Sequence, residues 1–384
     1  MKYGNMRIKL IYTKDKGGDK MNIQLQENDK VTQKLNSWYH EIRKRNIEKS
    51  RELKAEIDLY MQNIDKNPDL ALYYALLEFR FEYLIGHLNI GKGSFDKIEG
   101  LEQSPDNLLS YYYHFFKAMY LAITGDYKLA KKHYEEAEVK LQHIPDELEH
   151  AEFYYKIATF YCHNQQYVLA LQQVDKAKEI FSKHNDYELN IGYCNNLYGL
   201  LCIHLKEYEL AEERLVSALD IFKKNEDKHA SLIGRHNLGF LYSNQNLSEL
   251  AIRHISEVIA ESPNNYRALL ILACELAKVG EKDKALNVFE TGLEISNDLK
   301  NIEYQHHFQI LKGIHLDISG EELEKLIVSG NDYYTKENLY EYIQEYNEKL
   351  AIKYYDEDNH MKASRYFYLS SKANSVNKER VGLK

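Results

Sequence analysis

Residues 108–138 read LLSYYYHFFKAMYLAITGDYKLAKKHYEEAE, and this stretch decides the fold. Apolar and aromatic side chains recur at helical spacing up to Thr124, Gly125-Asp126 interrupts them, and a second helical run follows. Ala118 lies twelve residues before Ala130, Leu121 follows the first, and Tyr134 and Ala137 follow the second. Small residues let two antiparallel helices approach closely, and large ones three or four positions on fill the groove between them. The expected unit is a helical hairpin.

The same columns return along the chain. Ala130, Ala170, Ala211, Ala251 and Ala285 are spaced 40, 41, 40 and 34 residues apart, and Ala363 follows after 78. Twelve residues before each stand Ala118, Ala158, Gly199, Gly239, Ala273 and Ala351; four after each stand Tyr134, Val174, Leu215, Ile255, Phe289 and Phe367. This register resembles the tetratricopeptide repeat, with a degenerate unit over 302–335. Such hairpins bury their faces only by stacking, so residues 108–375 are expected to form a right-handed superhelix with a concave inner surface, followed by a tail over 376–384.

Upstream, the repeat gives way to three helical stretches at 31–45, 47–65 and 70–86. In the first, Val31, Leu35, Trp38, Tyr39 and Ile42 share a face; the third, LALYYALLEFRFEYLIG, is apolar nearly all round. A three-helix bundle over 30–88 and a linker over 89–107 are the simplest account. Residues 1–29, rich in Lys and Gly, suggest a disordered leader, with Met21 a possible start of the folded protein. The fold class is therefore all-α: a three-helix bundle, then repeats.

Composition narrows the function. A net charge of −9 argues against a direct nucleic-acid binder, which needs surplus Lys and Arg for phosphates. The basic run HEIRKRNIEK (residues 40–49) and the acidic run DELEHAEF (146–153) read as solvated helix faces. Cys162, Cys194, Cys202 and Cys274 have no CxxC spacing and suggest reduced, buried thiols in a cytoplasmic protein. No apolar run reaches the ~20 residues of a membrane span. Phosphate-loop, dinucleotide, GxSxG and HExxH signatures are missing, and the adjacent His306 and His307 point to different helix faces, so no metal or cofactor is expected in this chain.

The concave face of the repeats is the candidate site. Projecting the first helix of each hairpin inward selects Glu152, Lys156, Asn196, His204, His236, Asn237, Asn244, Arg267 and Lys278. The Asn237 carboxamide, both donor and acceptor, suits the backbone of an extended peptide.

VTQKLNSWYHEIRKRNIEKSRELKAEIDLYMQNI (31–64), with LxxYYxLLEFR in the third helix, resembles the amino-terminal bundle of the Rap family, the response regulator aspartate phosphatases of bacilli. The likeness continues into the repeats and spans about residues 30 to 375. It implies a cytosolic regulator whose bundle and linker bind a response regulator, and whose repeats bind a short re-imported signalling peptide that inhibits this capture. Members of the family either hydrolyse the phospho-aspartate of a sporulation regulator or sequester a competence-type one; any metal belongs to that partner. Asn237, within RHNLGFL, matches the family's peptide-backbone asparagine, and His204 stands where the family has an aspartate anchor.

The same resemblance singles out the junction NIDKNPDLALYY (63–74). Phosphatase members carry there an acidic pair followed by a glutamine whose carboxamide positions the water that attacks the acyl phosphate. Here the matching positions are Lys66, Asn67 and Pro68. Proline has neither carboxamide nor N–H, so the expectation is a regulator that acts by binding, its phosphatase activity compromised at Pro68 and retained only where Asn67 or Gln62 substitutes. Locally Asn67 suits an N-cap, Pro68 the first helical position and Asp69 the first turn. Lys66, Asn67, Pro68 and Asp69 are thus the expected response-regulator contacts. The alternatives are a peptide-sensing transcription regulator of the related repeat families and a repeat scaffold without a peptide ligand. Composition does not set the oligomeric state.

Overall fold

The computed structural model describes residues 9–15, 18–24, 29–61, 68–86, 90–91, 93–101 and 107–380. Three helices come first, α1 (Asp29–Arg43), α2 (Ile47–Met61) and α3 (Pro68–Gly86), then the single turn α4 (Asp96–Glu99). Seven hairpins follow among the described residues. They are α5 (Asn107–Thr124) with α6 (Tyr127–Leu141), α7 (Glu147–His163) with α8 (Tyr167–Phe181), α9 (Glu188–His204) with α10 (Tyr208–Lys224), and α11 (Lys228–Asn244) with α12 (Ser248–Glu261). The last three are α13 (Tyr266–Lys278) with α14 (Lys282–Asp298), α15 (Ile302–His315) with α16 (Gly320–Lys336), and α17 (Tyr340–Asp356) with α18 (His360–Arg380). The degenerate unit over 302–335 is thus a hairpin like the others.

Two expectations about the chain ends change. The leader contains an antiparallel pair, β1 (Lys9–Asp15) and β2 (Gly18–Gln24), with Leu10 opposite Ile23 and Tyr12 opposite Met21. At the other end α18 continues through Arg380, so most of the expected tail is helix.

Every turn inside a hairpin is closed by one residue of left-handed backbone, from Gly125 (φ 90°) and Gln165 (61°) through Lys206 (64°), Asn246 (58°) and Gly280 (87°) to Asp317 and Asp358 (both 57°). The left-handed residue reverses the chain within the space of one helix end. The columns pack as their spacing requires. Ala118, Ala158, Ala273 and Ala351 are buried on the first helices, and Ala130, Ala170, Ala211, Ala251, Ala285 and Ala363 on the second. One column is displaced: in α18 Tyr366 is buried and Phe367 is 43% exposed, so the large residue falls three positions after Ala363, not four. Either offset lies on the same helix face, and contacts with Tyr354 select Tyr366.

Where glycine replaces alanine the approach is closer still. A Cβ on Gly199 would stand 2.6 Å from Leu215 Cγ, and one on Gly239 2.5 Å from Ile255 Cγ1. Gly239→Leu is therefore expected to cost about 2–3 kcal/mol by overpacking, read as a lowered urea midpoint with an unchanged slope.

The chain divides into two compact units, residues 1–197 and 198–384. In the first, the helices of the amino-terminal bundle pack on one another and on the repeats. Val31, Leu35, Trp38, Tyr39 and Ile42 of α1 and Leu76, Phe79 and Phe81 of α3 share one core with Tyr112 and Phe116 of α5 and Phe153 of α7. The linker joins it too: Ile90, Phe95 and Ile98 are buried, Phe95 edge-on to Phe79 at 5.1 Å. In the second unit, α11 packs on α13 and α13 on α15, so the first helices of successive hairpins line one side.

Candidate functional site

The structure reaches part of the junction between α2 and α3. Pro68 is the first residue of α3 and exposed, and Asp69 lies half-buried in the first turn, where a carboxylate suits the helix dipole. Gln62, Lys66 and Asn67 lie outside the described residues, as does the expected N-cap.

The projected groove residues separate into three groups. Glu152 and Lys156 are buried, not open to a groove: Arg80 of α3 donates to Glu152, and Lys156 Nζ lies 4.0 Å from the same carboxylate and 4.4 Å from the Tyr83 ring centre. Asn244 ends α11 and is exposed, its Nδ2 donating to the Phe240 carbonyl at 2.8 Å. Lys278 is held by Glu275 at 2.7 Å, whose buried carboxylate also accepts from Ser243 and Ser248, both at 2.6 Å.

The remaining residues line the first helices. Asn196 is buried in α9 of the first unit. In the second unit Asn237 is buried in α11, His204 stands against the Phe240 ring at 6.1 Å, and Arg267 lies exposed on α13. Burial pushes both His204 and His236 down to about 4, so each is a neutral imidazole at physiological pH. A neutral His204 cannot act as an anionic anchor.

The two runs read as solvated faces contain the principal electrostatic feature of the first unit. Arg43 donates to Asp146 at 2.8 Å and to Glu149 at 3.2 Å, and Glu149 accepts from Tyr39 and from Tyr111 at 3.1 Å. Lys44 pairs with Asp186 at 2.6 Å, and the Arg45 guanidinium stacks 3.8 Å from the Tyr193 ring centre. Burial raises Glu149 to about 7 against the pull of Arg43; burial also opposes ionisation of Glu152, but Arg80, Lys156 and Arg45 hold it down to about 2. Three acids on α7 and its cap thus fasten α1 and α3 onto the repeats. One sequence signal did exist: Arg80, the one basic residue of a largely apolar helix, needed a buried partner.

Among the described residues no group of three or more His, Cys, Asp or Glu could hold a metal, and no helix is long and apolar enough to cross a membrane. His307 is buried with its Nδ1 2.6 Å from the Tyr346 hydroxyl, separated in role from His306 beside Tyr333. Cys194 and Cys202 are buried, whereas Cys162 and Cys274 are only half-buried, and no disulfide joins the four.

Comparison with known proteins follows the same division. Residues 25–86 match the family model described as response regulator aspartate phosphatase H, N terminal, and residues 149–224 match a tetratricopeptide repeat model. Response regulator aspartate phosphatase I of Bacillus subtilis (strain 168) is 27% identical over 357 residues, covering 90% of each chain. Regulatory protein RapF of the same organism is 28% identical over 359 residues, covering 88% of this chain and 92% of its own. The apo form of RapI superposes with a TM-score of 0.60 at 27% identity over 91% of this chain and 98% of its own. A Rap protein complexed with competence and sporulation factor shares the fold at a TM-score of 0.80 and 24% identity, over 92% and 99% of the two chains.

Fold and matched segments define a tetratricopeptide-type repeat protein with helices of a regulator-phosphatase type packed at its amino terminus. Within that class the chain is similar to the Rap proteins along most of its length.

Proposed function

We propose that the chain is a peptide-controlled regulator that captures a response regulator through α2, α3 and the junction between them, without phosphatase turnover of its own. The observation that carries the reading is Pro68. The relatives' names divide between response regulator aspartate phosphatases and regulatory proteins, and at the family's glutamine position this chain opens α3 with a residue that has no amide. Positioning catalysis needs that group within hydrogen-bond reach of the water, and its loss removes most of the effect. Protein binding needs only the exposed helix start and its neighbours.

The repeats supply the second surface, and Asn237 its anchor for a peptide backbone. The partners are thus a response regulator and a short linear peptide, met in the cytoplasm. Co-purification with candidate response regulators, with and without peptide, tests the pairing, and phosphate loss from the phosphorylated regulator tests the chemistry. Release of inorganic phosphate at many turnovers per chain would overturn the non-catalytic reading. Asn237→Ala is expected to weaken peptide binding about tenfold, the worth of a hydrogen bond or two, with the melting curve retained. Unchanged affinity in a fluorescence-anisotropy titration would remove Asn237 from the site.

A further inference from the structure

Two histidines of the first hairpin face each other nitrogen to nitrogen. His114 of α5 and His133 of α6 are half-buried, their Nδ1 atoms 3.0 Å apart and their ring centres 5.1 Å apart. Tyr113 stands edge-on to both rings, 5.5 Å from His114 and 6.2 Å from His133, which limits how far either turns. The two lie 19 residues apart in the chain, so no local spacing announces the pair.

Such a pair shares one proton, with one Nδ1 donating and the other accepting. Burial lowers the proton affinity of both rings, His133 to about 4, so both are neutral at pH 7, the form that ligates metal. Moving the donor's proton to its own Nε2 turns both Nδ1 lone pairs inward with no net loss of a proton. Nitrogens 3.0 Å apart, each about 2.05 Å from one ion, subtend about 95° at it. That is the cis angle of a tetragonal or octahedral centre and is narrower than the tetrahedral angle zinc prefers. The surrounding charges offset one another: Lys117 and Lys140 oppose a cation, Glu136 and Glu99 favour it, and Lys117 is itself paired with Glu99 at 2.5 Å.

We infer that His114 and His133 form a two-histidine chelate for a tetragonal divalent transition-metal ion, Cu²⁺ above all and Ni²⁺ after it, with water in the remaining positions. Two imidazoles are fewer than the protein ligands of a closed structural centre, so the ion exchanges with solution. Its effect is to tie α6 to α5, the helix on which α3 packs.

The full chain, free of any histidine tag and stripped of metal, is titrated at neutral pH with copper(II), nickel(II) and zinc chlorides. Calorimetry reads affinity, and electron paramagnetic resonance at one equivalent of Cu²⁺ counts the nitrogen ligands. One equivalent of Cu²⁺ with a two-nitrogen pattern is expected, held at least tenfold more tightly than Zn²⁺, with Ni²⁺ between them. His114→Ala and His133→Ala are each expected to weaken Cu²⁺ binding at least tenfold, since a lone imidazole loses the effective concentration of the second. Both should melt without metal within about 3 °C of the parent. The parent's nitrogen count reads the site without any substitution. A one-nitrogen pattern in the parent, or Cu²⁺ affinity that survives the two substitutions combined, overturns the chelate and leaves an adventitious ion only. Zn²⁺ held more tightly than Cu²⁺ overturns the tetragonal geometry.

Discussion

Arg80→Ala is expected to lower the stability of the first unit by about 3–5 kcal/mol, because it leaves the Glu152 carboxylate buried without its strongest partner. Both side chains are 1% exposed, so water cannot take the place of the guanidinium. Acid should expose the same link. Glu152 is held at about 2 in the folded chain against an ordinary 4.5, so its contribution is complete above pH 4.5 and is lost as pH falls through 2. That shift corresponds to about 3 kcal/mol, and Arg80→Ala should remove this part of the acid dependence. Replacing Arg80 and Glu152 together by methionine should cost less than Arg80→Ala alone, since no unpaired carboxylate remains. Urea titrations at pH 7 and pH 3 check all three outcomes; a single mutant as stable as the parent would mean that the pair is not formed in solution.

Pro68→Gln carries the larger functional effect. If the junction of α2 and α3 meets the regulator's active site, restoring a carboxamide at the start of α3 should raise hydrolysis of its acyl phosphate about 10²-fold. The helix tolerates the change, because the first helical position needs no particular side chain and glutamine is a good helix former. Single-turnover decay of the phosphorylated regulator, at saturating protein, separates a gain in chemistry from a gain in binding. Decay no faster with the Pro68→Gln variant than with the parent would show that the junction does not approach the phosphate, and the binding surface would have to lie elsewhere on α2 and α3.

The hairpins were legible because alanine and glycine at fixed spacing have a single physical use, the close approach of two helices. Gly199 and Gly239 show it, each facing a branched side chain of its own hairpin with no room for a Cβ. The apolar face of α1 and the all-round burial of α3 were legible for the same kind of reason. The burial of the projected groove residues was less so: all lie on the first helices of their hairpins, but Glu152 and Lys156 are covered by α3 whereas Arg267 is exposed.

By itself, then, the sequence determined the helical periods and the hairpin units, since each depends on residues near one another along the chain. Only the tertiary structure decided what the charges do. Arg43 and Asp146 are 103 residues apart, Arg80 and Glu152 are 72 apart, and a run such as HEIRKR or DELEHAEF looks the same whether water or a distant helix faces it. Burial removes the water from these groups, and partner choice then follows from which helices meet. Local pattern carries no record of that.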